Sequence, residues 1–436
     1  MKTLRTVLFW GHLAAGVVAG VVILIMSLTG ALLAFKPQIE EFVDRDVRIV
    51  QPPQGAARLG VQAMVANVRL AKPDGQLQSI ALEGAPTSSA AVSLGREGGT
   101  VYVDPYSGRI LGEGSKRLQA TFRWLTDWHR WLGGTAENRA TGKALTGASN
   151  LAFLALALSG LYLWWPHKWL PQHMKAVLIF RSQATGRARD FNWHNVIGFW
   201  CAPALIILTA SGAVISYPWA SNLVYRVTGS PVPERARLRA EGASAGPAEA
   251  RPDRRRAEAG GQERAGEAGR AGGAGRAGGV GRVRAEGEGG GRGRAVPVPE
   301  NLDLLWARAE QQVPVWRSMT LRMPNRAGAP VSFTITDANH WNAFARSQLT
   351  LDASSTEVLT WEPYERNNLG QKARGWMRFA HTGELGGLAG QTIAGIACVG
   401  GVVLVWTGLA LSWRRLFAWI KRRKTRAERT TQSAAA

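Results

Sequence analysis

Residues 12–30 read HLAAGVVAGVVILIMSLTG, and residues 194–212 read HNVIGFWCAPALIILTASG. Each opens on His-x-x-x-Gly, closes on a hydroxyl residue followed by Gly, and holds no acid or basic side chain between. Such a run is long enough to cross a hydrocarbon layer of about 30 Å as a helix. Four stretches have this character: Leu13–Phe35, Ala148–Trp165, Val196–Trp219 and Ile393–Trp413. The chain is 46% hydrophobic, yet its mean hydropathy is near zero, so the apolar residues are gathered into blocks and the rest is polar. A soluble protein with four buried helices would need a larger polar shell. Trp10, Trp164, Trp165, Trp200, Trp219 and Trp413 lie near the ends of the stretches, where an amphipathic ring has one wet edge. The first stretch exceeds a typical signal-peptide core and ends in Phe35-Lys36-Pro37 without a small-residue cleavage site, so it reads as an anchor.

A formal charge of +22 suggests nucleic acid until its placement is considered. Lys2 and Arg5 precede the first stretch, Lys168, Lys175, Arg181, Arg187 and Arg189 separate the second and third, and Arg414 to Arg429 follow the fourth. By the positive-inside rule both termini and loop 166–192 are cytoplasmic, and no nucleic-acid role is expected. The expected organisation is a first helix with its N-terminus over 1–35, an external module over 36–146, and a second helix over 147–165. Loop 166–192, a third helix over 193–219, an external segment over 220–388, a fourth helix over 389–413 and a basic tail over 414–436 complete it. Residues 234–296 are dominated by Arg, Ala, Gly and Glu and cannot offset their ordering entropy by burial, so they read as a disordered insertion.

Outside that insertion the two external segments share a pattern. Val61–Ala71 and Leu302–Gln312 read as amphipathic helices, each followed by strand-like runs. The runs are Gln76–Leu82, Ala90–Leu94 and Thr100–Val103 in the first segment, and Trp316–Met323, Val331–Thr336 and Gln348–Leu351 in the second. TVYVDPYSGRIL and QLTLDASSTEVL then end matching halves. The second stretch carries Ser159-Gly and the fourth Thr407-Gly, each preceded by an external His segment: Trp128-His129-Arg130 and Ala380-His381-Thr382. The expected fold is therefore an all-α membrane four-helix bundle with two external α+β modules. It is a tandem repeat of helix, module, helix about a two-fold axis along the membrane normal.

Two-fold symmetry turns single histidines into pairs. His12 would face His194 at one membrane level, and His129 would face His381 at the other. Imidazole is a common axial ligand of haem iron, and two such ligands leave no open position, which suits electron transfer. Gly16 and Gly198, one turn beyond the inner histidines, would leave room for a flat macrocycle or for close helix packing. A proton relay would call for intramembrane carboxylates, and the four stretches have none. His167 and His173 read as interfacial, and His340 as an exposed loop residue. Cys201 and Cys398 read as small buried residues, with no CxxC pattern or nucleotide-binding loop nearby.

The chain resembles the PepSY-associated transmembrane family, of the iron-regulated membrane protein and ferric-siderophore reductase type. The resemblance rests on Val101-Tyr-Val-Asp-Pro-Tyr-Ser-Gly-Arg-Ile-Leu111, Trp128-His-Arg-Trp-Leu132 and Ser159-Gly-Leu-Tyr-Leu-Trp-Trp165. Trp193-His194-Asn195 with Gly198, and Trp406-Thr-Gly-Leu409, add to it. It implies PepSY-like modules, two haem b groups held by His12, His194, His129 and His381, and one-electron reduction of a ferric siderophore or other ferric chelate. The electrons would come from a cytoplasmic or membrane donor. Asp352-Ala-Ser-Ser-Thr356 and the insertion depart from the family pattern. The alternative is a peptide- or protease-binding, or siderophore-transport, accessory protein anchored in the bilayer without redox activity.

Overall fold

The computed structural model describes residues 2–165, 171–233, 298–324, 326, 328–340, 342 and 344–435. The insertion 234–296, His167 and the side chain of His173 lie outside the described residues. Four helices among those described are long and apolar enough to cross a membrane: α1 (Lys2–Ala34), α4 (Arg139–Trp164), α5 (Gly186–Ser216) and α8 (Gly387–Ala435). Between them lie α2 (Val61–Ala71), α3 (Lys116–Trp131), α6 (Leu302–Gln312) and α7 (Leu369–Thr382). The spanning helices run beyond the apolar stretches, because hydropathy marks the lipid-facing part while backbone hydrogen bonding continues into polar flanks. The third stops at Ser216, short of the apolar stretch, since Pro218 starts a separate helix, Pro218–Val227.

The spanning helices pack in a ring. α1 contacts α4 and α8, and α5 contacts the same two, so α1 lies diagonally opposite α5. At one end Arg414 of α8 pairs with Asp190 of α5 at 3.1 Å, and the Arg5 guanidinium donates to the Leu163 carbonyl at 2.6 Å. At the other end α3 packs on α1 and α4, and α7 packs on α5.

The strand-like runs form β1 (Ser79–Glu83), β2 (Ala90–Ser93), β3 (Thr100–Val103) and β4 (Ile110–Glu113) in the first segment. In the second they form β5 (Trp316–Arg322), β6 (Val331–Asp337), β7 (Arg346–Leu351) and β8 (Val358–Glu362). The two modules are not separate bodies: they share one antiparallel sheet of order β4-β3-β2-β1-β5-β6-β7-β8. The joint is the β1–β5 ladder, from Ser79 opposite Arg322 to Glu83 opposite Ser318. Joining here leaves no module with an exposed long edge on its first strand. Alternate residues Ile80, Val92, Met319, Leu321, Phe333, Ile335, Leu349 and Leu351 are buried in a single core. Met64, Val65 and Val68 of α2 and Leu302, Leu305 and Ala309 of α6 cover it. The two covering helices cap each other: the Gln62 amide donates to the Asp303 carboxylate at 2.9 Å, and the Leu302 amide to the Gln62 side-chain oxygen at 3.1 Å.

Candidate functional site

The four histidines form two pairs. His12 of α1 and His194 of α5 meet across the ring diagonal, with ring centroids 6.3 Å apart and planes crossed at 82°. His12 Nδ1 lies 2.9 Å from Ser159 Oγ on α4, and His194 Nδ1 lies 2.9 Å from Thr407 Oγ1 on α8. His129 and His381 make the second pair, also at 6.3 Å, with planes at 57°. His129 Nδ1 lies 3.0 Å from Thr29 Oγ1 on α1; His381 Nδ1 lies 2.8 Å from the Leu208 carbonyl and 3.3 Å from Ser211 Oγ on α5.

The elements that deliver the second pair are locally well specified. Ser115 caps α3 by accepting from the Leu118 amide at 3.2 Å, and Asn368 with Gln371 forms a capping box on α7. Each helix ends within three residues of its histidine on a left-handed residue, Leu132 at φ 53° and Gly383 at φ 76°, which turns the chain into the next spanning helix. The turns are tight. A Cβ at Gly142 would overlap the Trp131 carbonyl, and one at Gly390 would overlap the Gly383 carbonyl.

The pairs sit at different depths. On α1 the ligand-side residue is His12 and the residue holding the other pair is Thr29; on α5 they are His194 and Ser211. At about 1.5 Å per residue that interval is about 25 Å, close to the thickness of a hydrocarbon layer. His129 and His381 stand on α3 and α7, outside the spanning helices. Burial, and for His129 the neighbouring His381 ring as well, holds both below the ordinary histidine value, His129 at about 4. Burial thus favours the neutral imidazole in both, the form that can bind a metal.

The spacing admits a flat group. A metal–imidazole bond is about 2.0 Å, and a ring centroid lies about 1.2 Å behind its nitrogen, so two imidazoles on opposite sides of one metal have centroids about 6.4 Å apart. Both pairs, at 6.3 Å, match that distance. A protein-built metal cage needs three or four side-chain ligands, and no cluster of three or more such residues occurs among the described residues. Two ligands facing each other suit a macrocycle that supplies the rest of the coordination.

The hydroxyl–Gly steps read in the sequence as marks of repetition turn out to touch all four histidines. A Cβ on Gly30 would lie 3.2 Å from His129 Cε1, on Gly160 3.4 Å from His12 Cε1, on Gly212 3.2 Å from His381 Cε1, and on Gly408 3.4 Å from His194 Cε1. Gly16 and Gly198, by contrast, would meet Leu156 and Leu404 side chains at ordinary contact distance, and neither abuts a histidine. The signal in the sequence was a Ser/Thr-Gly step on every spanning helix. Its partner was invisible because each histidine comes from a different element.

His340 belongs to neither pair. It is partly buried rather than exposed: its ring stands edge-on to Tyr364 at 5.1 Å, and its Nδ1 accepts from the Asn342 amide at 2.9 Å. Cys201 and Cys398 form no disulfide and pack together between α5 and α8. A family model described as the PepSY-associated TM region matches residues 9–415, a range that includes all four paired histidines. No curated protein matches the chain.

Proposed function

Because this chain belongs to the PepSY-associated transmembrane family, we propose that it is a di-haem electron-transfer protein that reduces a ferric chelate of the siderophore type. The observation that carries the reading is the pair of histidine pairs, each with centroids 6.3 Å apart. His12 and His194 would hold one haem b, and His129 and His381 the other. Such a group supplies an iron centre that accepts and releases one electron at a time.

Orientation follows from charge. The basic flanks of α1, α5 and α8 support an orientation in a bacterial inner membrane with both termini and loop 166–192 on the cytoplasmic side and the shared sheet on the outer side. The inner pair then lies next to an electron donor in the cytoplasm or membrane, and the outer pair next to the ferric substrate. His129 and His381 would both be engaged in holding the outer group, so neither would be free to bind the ferric substrate. Reduction loosens a hard-oxygen chelate because ferrous iron binds such ligands more weakly than ferric iron.

The duplication is supported by contacts that recur at constant offsets. Phe35 packs where a Cβ of Gly395 would stand, and Tyr217 does the same at Gly147; Gly142 and Gly390 make matching close approaches. A two-fold axis along the membrane normal would relate these sets.

An absorption spectrum of the purified protein tests the reading. Low-spin b-type haem is expected, at two per chain. His12→Ala and His194→Ala should deplete one and the same haem, and His129→Ala and His381→Ala the other. Colourless protein from haem-replete cells overturns the proposal and leaves a membrane-anchored binding role for the sheet.

A further inference from the structure

Each of the four hydroxyls that meets a histidine has already committed its only proton. Thr29 Oγ1 donates to the Ile25 carbonyl at 2.7 Å, Ser159 Oγ to Ala155 at 2.6 Å, Ser211 Oγ to Ile207 at 2.6 Å, and Thr407 Oγ1 to Val403 at 2.8 Å. A hydroxyl whose proton is bound to the carbonyl four residues back has only lone pairs to offer a second partner. The histidine Nδ1 must then be the donor. A second acceptor gives the same answer at His381. Its Nδ1 also meets the Leu208 carbonyl at 2.8 Å. That carbonyl lies three residues before Ser211, and a carbonyl can only accept.

We infer that Thr29, Ser159, Ser211 and Thr407 are positioning residues that lock His129, His12, His381 and His194 as Nδ1–H tautomers. A neutral imidazole carries one N–H, so Nε2 is left in every case as an unprotonated lone pair. The following glycine completes the receptor by leaving room beside Cε1. The tautomer assignment follows from hydrogen-bond chemistry alone. Its consequence for iron rests on the di-haem reading above. An Nδ1–H that donates strongly makes Nε2 more basic and favours the ferric state.

The four receptors are unequal, and that makes the inference sharp. His12 Nδ1 meets the Ser159 hydroxyl at 2.9 Å, whereas His381 Nδ1 meets the Leu208 carbonyl as well as the Ser211 hydroxyl. Ser159→Ala should therefore act more strongly than Ser211→Ala, and Ser159→Thr, which restores the hydroxyl, should rescue it.

Two readouts on the full chain in lipid nanodiscs test this. The first is ¹⁵N NMR of histidine-labelled protein made without haem supply. Four Nδ1–H tautomers are expected in the wild type, with His12 losing that preference in Ser159→Ala and regaining it in Ser159→Thr. The second is a redox titration of haem-replete protein. In Ser159→Ala, a roughly tenfold loss of preference for ferric iron at one haem would raise its midpoint by about 59 mV, with the other haem unmoved. An Nε2–H tautomer at His12 in the wild type, or a Ser159→Ala spectrum and midpoint equal to the wild type, overturns the inference even when both haems are present. Wild-type protein that emerges haem-free from haem-replete cells, while the NMR sample shows Ser159-dependent Nδ1–H tautomers, overturns the di-haem reading and leaves the tautomer assignment standing. Should Ser159→Ala fail to fold, Thr407→Val and Thr407→Ser at His194 are read by the same two outcomes.

Discussion

Adding one methyl group beside each histidine separates the two levels of the site. In Gly30→Ala and Gly212→Ala the new Cβ lies 3.2 Å from the Cε1 of His129 and of His381. Carbon atoms in contact prefer about 3.5–4.0 Å, so the imidazole must retreat by at least about 0.3 Å. Neither ring can retreat freely: His129 is held by Thr29 and His381 by the Leu208 carbonyl, and Gly30 is further crowded by Cys398 Sγ at 3.3 Å. Overpacking of this kind costs about 1–3 kcal/mol, equivalent to roughly five- to 150-fold in the occupancy of the outer haem. In Gly160→Ala and Gly408→Ala the distance is 3.4 Å to His12 and His194, an ordinary contact, and the inner haem should be retained within about threefold. The assay is haem content and the low-spin spectrum of the four purified variants at equal protein. Equal depletion by all four, or stronger depletion by the Gly160 and Gly408 variants, refutes the idea that these glycines act through clearance to Cε1.

Other expectations concern the sheet and one turn. Phe333→Ala empties a fully buried position in the core shared by both modules and should lower stability by about 3–5 kcal/mol. If the modules share one core, the loss appears as a single cooperative unfolding transition; two separate transitions would contradict that. Thr356 holds φ 60° at the place where Gly108, in the matching turn of the first module, holds φ 72°. Thr356→Gly should stabilise the sheet by about 0.5–1 kcal/mol, the left-handed cost of a β-branched residue less the entropy of a freer unfolded chain. A lower melting temperature would count against it. The Ser354 hydroxyl, with the Ser355 and Ser354 amides, holds the Asp352 carboxyl below its ordinary value of 3.8. The folded value is depressed, so this contribution is complete above pH 3.8 and is lost as pH falls below it. Unfolding curves of the wild type and Asp352→Ala should therefore converge on acidification, and a constant gap across that range would show that the carboxylate charge is irrelevant.

How much of this was legible in the chain depended on distance along it. The four spanning helices and the bounds of Val61–Ala71 and Leu302–Gln312 follow from composition and periodicity, because helical hydrogen bonds join residues four apart and hydropathy selects the solvent for each segment. The repeated His-x-x-x-Gly and hydroxyl–Gly signatures are likewise local, and they sufficed to name His12, His194, His129 and His381 as partners to be tested. What the sequence could not specify was contact between distant segments. The β1–β5 ladder joins strands more than 200 residues apart, and nothing in either strand names the other as its neighbour. The hydroxyl that holds each histidine lies 100 to 213 residues away. Those choices were made by packing, as the ring of helices brought a Ser/Thr-Gly step from one element beside the imidazole of another. The 6.3 Å gap between opposed rings exists only once the helices have closed, and on it rests the claim that the pairs hold a flat cofactor.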